Sequence, residues 1–201
     1  MTARIILASA SPRRQQLLNQ VGVTYRAVGA DVDESAEAGE LAADYVRRIA
    51  ARKAHWVAAH EACELPVLAA DTAVVLRGKI LGKPGNPAAA REMLGSLSGQ
   101  VHEVFSAVVL LTQKGDEFNR TNISTVTFAP LAPAWIEAYC ATGEPLDKAG
   151  AYAIQGYAAQ FISRLEGSYS GVMGLPLFET MDLLQCAGIS VLPGLNLDST
   201  Q

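Results

Sequence analysis

The chain has 201 residues, half of them apolar, 18% charged and 6% aromatic, with a formal net charge of −4. That length can bury one large core or two small lobes sharing a sheet, and the composition is too apolar for a disordered chain. The acidic balance excludes a global basic field for duplex nucleic acid or an anionic membrane, so a bound anion must be held by a local site.

Residues 4–8 are predicted as a buried strand. Residues 12–20 are predicted as a helix with Ser11 at its N-cap, Pro12 at its first position and Gly22 closing it. A second strand is expected over 24–28, and the acidic, small-residue stretch 29–40 reads as a loop. The longest helical pattern covers 41–60. Residues 66–70 form a short apolar strand that ends on Asp71, and 73–81 reads as two short strands about Arg77-Gly78. Asn86 and Pro87 begin a helix over 87–97. Residues 101–112 and 118–128 flank Gln113-Lys114-Gly115-Asp116 as a long hairpin. A helix over 133–142, a glycine-punctuated stretch 143–157, a strand near 160–166 and a last helix over 175–187 complete the chain. Helices and strands alternate, yet two hairpins are present, which predicts an α/β fold on a mixed rather than purely parallel sheet.

Several functions drop out. The first eight residues carry too short an apolar run for a signal peptide, and no run approaches the ~20 residues of a membrane span. Cys63, Cys140 and Cys186 are odd in number, far apart and form no CxxC, which suits a reducing cytoplasm. His55, His60 and His102 lack metal-ligand spacing, which argues against a zinc site and a Ser/His/Asp triad. Neither GxxxxGK[ST] nor a GxGxxG at a βα turn occurs.

The polar residues that remain are few. Arg13 and Arg14 fall in the first turn of the predicted helix 12–20, where the macrodipole is already positive and cations are mildly unfavourable. Either both bend into solvent, or strand, serine loop, helix N-terminus and two guanidiniums make a phosphate site. On the helix over 41–60, stepping about 100° per residue places Val46, Ile49, Trp56 and Val57 within about 60° of Lys53. Lys53 thus sits in the apolar stripe, as a snorkelling stem or as an ammonium aimed inward at a phosphate or carboxylate. Asp71 ends an apolar strand, where α/β sheets present functional side chains, although such an aspartate can also just cap a turn.

Lys83, between Gly82 and Pro84, has a stiff backbone that a ligand can approach closely, in a loop that by itself reads as a turn. Glu34 lies in the acidic loop, whose default reading is a solvated surface. The stretches 147–156 and 167–177 are glycine-dense, and tight backbone approach is expected in both. Gln155 sits between Ile154 and Gly156, where its amide could read a base edge. Basic groups (Arg13, Arg14, Lys53, Lys83) with acids (Glu34, Asp71) and no nucleophile–histidine pair suit metal-assisted hydrolysis of a polyphosphate.

The segments 7-LASASPRRQQLL-18, 69-AADTAVVL-76, 81-LGKP-84, 146-LDKAGAYAIQG-156 and 171-GVMGLPL-177 resemble the Maf family of nucleotide pyrophosphatases, in order and from residue 5 to about 187. The resemblance implies a single domain over 1–201: two lobes around an elongated mixed sheet, similar to the inosine-triphosphate pyrophosphatase fold, with the nucleotide in the cleft. It implies hydrolysis between the α and β phosphates with Mg²⁺ or Mn²⁺. The family's polar residues fall on Ser9, Arg14, Glu34, Lys53, Asp71 and Lys83, with Asp71 as proton acceptor and Glu34 and Asp71 as metal ligands, directly or through water.

The branch of the family preferring dTTP and UTP is matched at Arg13, Thr72 and Gln155, the three positions that separate it from a branch acting on 7-methyl-GTP. An amide pairs with the O4/N3–H edge of thymine or uracil, whereas a carboxylate suits a guanine edge. Dimers are usual for the resemblance. Modified pyrimidine nucleotides widen the expected substrate class. A 7-methyl-GTP pyrophosphatase and a non-enzymatic regulator of cell division or septum formation are the competing readings.

Overall fold

The computed structural model of the chain describes residues 3–61 and 64–189. β1 (Ile5–Leu7) is an uninterrupted apolar run and is buried throughout, as a strand flanked by parallel neighbours requires. It pairs in parallel with β2 (Tyr25–Ala27), Ile6 opposite Arg26, and with β3 (Val67–Leu76), Ile6 opposite Val67. Parallel neighbours need crossover connections, and α1 (Pro12–Gln20) and α2 (Ala42–His60) supply them.

β3 departs from expectation. It is one strand of ten residues running straight through Asp71, where the sequence predicts a strand that stops there and a fresh one beyond. Aspartate is depleted in strands. Here Val67–Ala70 and Ala73–Leu76 are all buried, and the Asp71 carboxylate has a cationic partner, so the ladder continues. The turn at Arg77-Gly78 does form, with φ of 51° and 77° at the two residues, and β4 (Lys79–Leu81) returns antiparallel with Val74 opposite Leu81.

α3 (Pro87–Leu97) opens as predicted, Asn86 Oδ1 accepting the Ala89 N–H at 2.9 Å. β5 (Val101–Leu111) and β6 (Glu117–Phe128) meet at a turn in which the Thr112 N–H donates to the Asp116 carbonyl at 2.9 Å. After α4 (Pro133–Ala141) the chain makes short 3₁₀ turns at Glu144–Asp147, Ala149–Ala151 and Tyr157–Phe161. β7 (Ile162–Glu166) then pairs antiparallel with β6, Val126 opposite Leu165. The predicted last helix forms as α6 (Leu177–Cys186), and a single unpredicted turn, α5 (Tyr169–Met173), precedes it in the glycine-dense stretch. The seven strands form one sheet in the order β2-β1-β3-β5-β6-β7, with β4 paired to β3. Parallel and antiparallel pairs coexist, so the sheet is mixed.

Packing divides the chain into two units. The first comprises Met1–Asp71, Ser106–Thr121 and Gly174–Gln201. Its buried apolar residues are those of β1, Leu17 and Leu18 of α1, Val46, Ile49 and Val57 of α2, and Leu183 and Leu184 of α6. The second comprises Thr72–Phe105 and Asn122–Met173. It has an aromatic core: Phe128 meets Tyr152 edge-on at 4.9 Å and Phe161 at 6.3 Å. Buried His102 lies against both Phe128 and Tyr152, its Nε2 2.9 Å from the Tyr152 hydroxyl. The expected close backbone approach is present in this unit: Gly150 has φ 69°, and a Cβ built on it would stand 2.8 Å from Val74. Cys140 and Cys186 are free thiols, and Cys63 lies outside the described residues. Among the described residues no helix is long and apolar enough to cross a membrane.

Candidate functional site

On α2 the buried face is Val46, Ile49, Ala50, Lys53, Ala54 and Val57, so the lysine does stand inside the apolar stripe. Trp56, expected within it, is half-buried and stacks instead on His60 at 4.2 Å. Lys53 does not snorkel. Only 7% exposed, it places Nζ 2.7 Å from Asp71 Oδ1 and 2.6 Å from Glu34 Oε1. Asp71 is 6% exposed, in the middle of β3. Burial pushes its carboxyl above the usual aspartate range, and the charges of Lys53 and then Arg14 pull it back.

Glu34 reaches Lys53 from the acidic loop, which is largely exposed, as its composition implies, yet is tied down by α2. Tyr45 Oη donates to the Glu34 carbonyl at 2.9 Å and Arg48 Nη2 to the Ser35 carbonyl at 3.1 Å. Arg48 also clasps the far end of the loop, its Nε 2.6 Å from Glu40 Oε1, which holds the Glu40 carboxyl down at about 2. Burial, with the charges of Asp71 and Glu34 behind it, pushes the Tyr45 hydroxyl up to about 12, so it stays a donor. Side chains one helical turn apart on α2 thus latch the loop that carries Glu34. The 3.6-residue period puts Tyr45 and Arg48 on one face, but nothing local to the sequence says what they hold.

At α1, Ser11 occupies the N-cap position with extended dihedrals, yet its hydroxyl caps nothing, contrary to expectation. Its own N–H instead donates to Ser9 Oγ at 3.1 Å. Ser9 Oγ also accepts from Arg14 Nη1 at 3.3 Å, while Arg14 Nε donates to the Gly174 carbonyl at 2.8 Å. The guanidinium is therefore oriented from two sides. Burial acts against its charge and the field of Asp71 supports it. Arg13 is half-buried in the same turn.

The remaining predicted residues lie in the second unit. Thr72 follows Asp71 along β3 and is half-buried. Lys83 is exposed just after β4, next to Gly82, whose carbonyl accepts the Gly150 N–H at 3.2 Å. Gln155 is exposed on a turn closed by the Gly156 N–H donating to the Ala153 carbonyl at 3.0 Å.

In the first unit, then, Lys53 gathers Glu34 and Asp71, and Ser9 orients Arg14. Two carboxylates converging on one cation position are hard oxygen donors of the kind Mg²⁺ and Mn²⁺ take. Among the described residues no group of three or more His, Cys, Asp or Glu could hold a metal. The Glu34–Asp71 pair fits an ion that keeps waters and completes its shell with phosphate oxygens, the usual habit of Mg²⁺.

The sequence pattern of Maf-like proteins matches residues 4–187. The chain belongs to the Maf-like protein family. The dTTP/UTP pyrophosphatase of Methylobacillus flagellatus is 51% identical to this Maf-like chain, covering 95% of it and 96% of the relative. That of Anaeromyxobacter sp. Fw109-5 is 52% identical, covering 94% and 91% respectively. Among solved structures, the Ham1 protein of Staphylococcus aureus superposes with a TM-score of 0.50 at 15% identity, covering 91% of this chain and 96% of that one. That likeness concerns the fold alone: a mixed sheet with flanking helices, as the sequence predicts.

Proposed function

We propose that this Maf-like chain is a nucleoside triphosphate pyrophosphatase that hydrolyses dTTP and UTP, and the class of modified pyrimidine triphosphates around them, to the monophosphate and pyrophosphate. The observation that carries this reading is half identity, over nearly the full length of both chains, with relatives of that name. The geometry in the first unit supports the chemistry.

Asp71 accepts a proton from the water that attacks the α-phosphorus. As the new P–O bond forms, the bridging α–β P–O bond breaks and its electron pair leaves with pyrophosphate. Burial raises the carboxyl and so makes it a better base than an aspartate in water, while Lys53 keeps it ionised. Lys53, Arg14 and Lys83 neutralise charge on the triphosphate, and Ser9 keeps the Arg14 guanidinium in place. Glu34 and Asp71 would hold Mg²⁺ or Mn²⁺, which supplies Lewis-acid charge to the phosphate oxygens. Gln155 reads the O4/N3–H edge of the base, with Arg13 and Thr72 completing the preference. The free thiols of Cys140 and Cys186 support a cytoplasmic setting, and light scattering tests the homodimer expected of the family.

A panel of triphosphates with pyrophosphate release as readout tests the reading. dTTP and UTP should lead; a lead for 7-methyl-GTP, or no release from any nucleotide, overturns it.

A further inference from the structure

Gln155 stands exposed, yet the turn that carries it is held at both ends. At one end the Ala153 N–H donates to Tyr139 Oη at 3.3 Å. At the other the Tyr157 N–H donates to Glu144 Oε2 at 3.2 Å. The two anchors are joined, since Tyr139 Oη donates to Glu144 Oε1 at 2.8 Å. The Glu144 carboxylate also lies against Gly156: a Cβ there would fall 2.5 Å from its carboxyl carbon and closer still to its oxygens. Gly156 has φ −105°, which any residue adopts, so a side chain there would meet no backbone barrier but would displace the Glu144 carboxylate from its place. Tyr139 is only 3% exposed, and burial followed by the Glu144 carboxylate pushes its hydroxyl above the usual tyrosine range, which keeps it a donor.

We propose that Tyr139 and Glu144 are positioning residues: through the backbone at Ala153, Gly156 and Tyr157 they fix where the Gln155 amide is presented, and so set the preference for a pyrimidine base. The inference rests on the reading that Gln155 faces the base. A side-chain amide discriminates only if its acceptor and donor meet the edge in register, and a turn free to shift by an ångström loses that register. Their hydrogen bonds run to the turn that carries Gln155 and not to the residues assigned to the phosphates, so their influence belongs to base recognition and not to bond cleavage.

Kinetics of Glu144→Gln and Tyr139→Phe, measured with dTTP and dGTP, test this. Glutamine offers one carbonyl acceptor where two carboxylate oxygens are used, and phenylalanine removes the bridging hydroxyl. Each should lower the dTTP-to-dGTP ratio of kcat/KM about five- to tenfold. The loss should lie in KM for dTTP, with kcat within about twofold of wild type. Added to Gln155→Ala, neither change should lower the ratio further, since the amide it positions is gone. An unchanged ratio in the single variants overturns the proposal, as does an equal loss of kcat on both nucleotides, which would mark a general structural role. If Glu144→Gln does not fold, Tyr139→Phe carries the test alone. Wild type assayed first separates the two readings. No pyrophosphate from dTTP or UTP sinks the function and the positioning role together; a normal wild-type preference that both variants retain sinks only the positioning role.

Discussion

Lys53 of α2 and Asp71 of β3 form an ion pair at 2.7 Å with both side chains nearly out of solvent, and Glu34 shares the same ammonium at 2.6 Å. Buried pairs contribute little net stability, but stranding one partner is costly. The two ends of this pair should therefore respond differently. Asp71→Asn leaves Lys53 with Glu34, so the fold should hold while release of pyrophosphate from dTTP falls by about 10³-fold or more, the loss expected when a proton acceptor goes. Turnover within tenfold of wild type would remove Asp71 from that role. Lys53→Met leaves a buried carboxylate without its nearest cation and should cost about 3 kcal/mol in urea unfolding, as well as activity.

Tyr45→Phe removes one hydrogen bond, from Oη to the Glu34 carbonyl at 2.9 Å, and leaves the ring and its Arg48 neighbour in place. Stability should change by about 1 kcal/mol or less. Activity should fall several-fold more than that suggests, because the loop then presents Glu34 less firmly. The effect should be largest at limiting Mg²⁺ and shrink as the ion is raised. An activity loss independent of Mg²⁺ concentration would dissociate Tyr45 from Glu34.

These two sites mark where the sequence was legible and where it was not. Lys53 betrayed itself because a lysine in an apolar helical stripe is anomalous whatever the fold, and the strand–serine loop–helix start at Leu7–Pro12 is written in neighbouring residues. Asp71 stands out as chemistry, but the sequence places it at a strand end, since the cation that lets a strand pass through it lies 18 residues earlier in the chain. Ser11 illustrates the same limit: the residue type predicts a cap, but its hydroxyl caps no N–H of the first turn, and its own N–H is engaged by Ser9 Oγ. The period places Tyr45 and Arg48 on one face but not the loop they latch, and the clamp of Tyr139 and Glu144 leaves no periodic trace. α5 is too short for one; it is held by side-chain bonds, with Ser168 Oγ accepting the Gly171 N–H and Ser124 Oγ accepting the Ser168 N–H, each at 2.9 Å.

Gly150→Ala tests the tight approach in the second unit. The substitution meets a left-handed φ of 69° and three atoms of Val74 at 2.8–2.9 Å. Val74 is itself 3% exposed on β3, so it has nowhere to move. Strain and overpacking together should cost about 2–4 kcal/mol. Pairing it with Val74→Ala removes the collision but not the strained φ, so the double variant should be more stable than the sum of the single losses by about 1–2 kcal/mol. Simple additivity would show that the contact is relieved by a backbone shift.

His102 gives the fold a pH dependence that can be isolated by subtraction. It is 2% exposed, its Nδ1 has no hydrogen-bond partner among the described residues, and burial lowers its pKa from 6.5 to about 4. The unfolded chain therefore takes up a proton below pH 6.5 that the folded chain refuses until about pH 4. Stability attributable to the ring is full above 6.5, falls as pH drops through that window, and levels off below about 4. At roughly 1.4 kcal/mol per pH unit, the loss between pH 7 and pH 4.5 is about 2–3 kcal/mol. His102→Gln keeps a polar group facing the Tyr152 hydroxyl but cannot titrate. Carboxylates such as Glu40, held down by Arg48, also weaken the fold in acid and remain in both proteins. The difference in urea midpoint between wild type and His102→Gln should therefore shift by that amount between pH 7 and pH 4.5, in favour of the variant at the lower pH. Parallel curves for the two proteins would mean that the ring is protonated in the folded state at an ordinary pH, which the apolar packing of Phe128 and Tyr152 around it opposes.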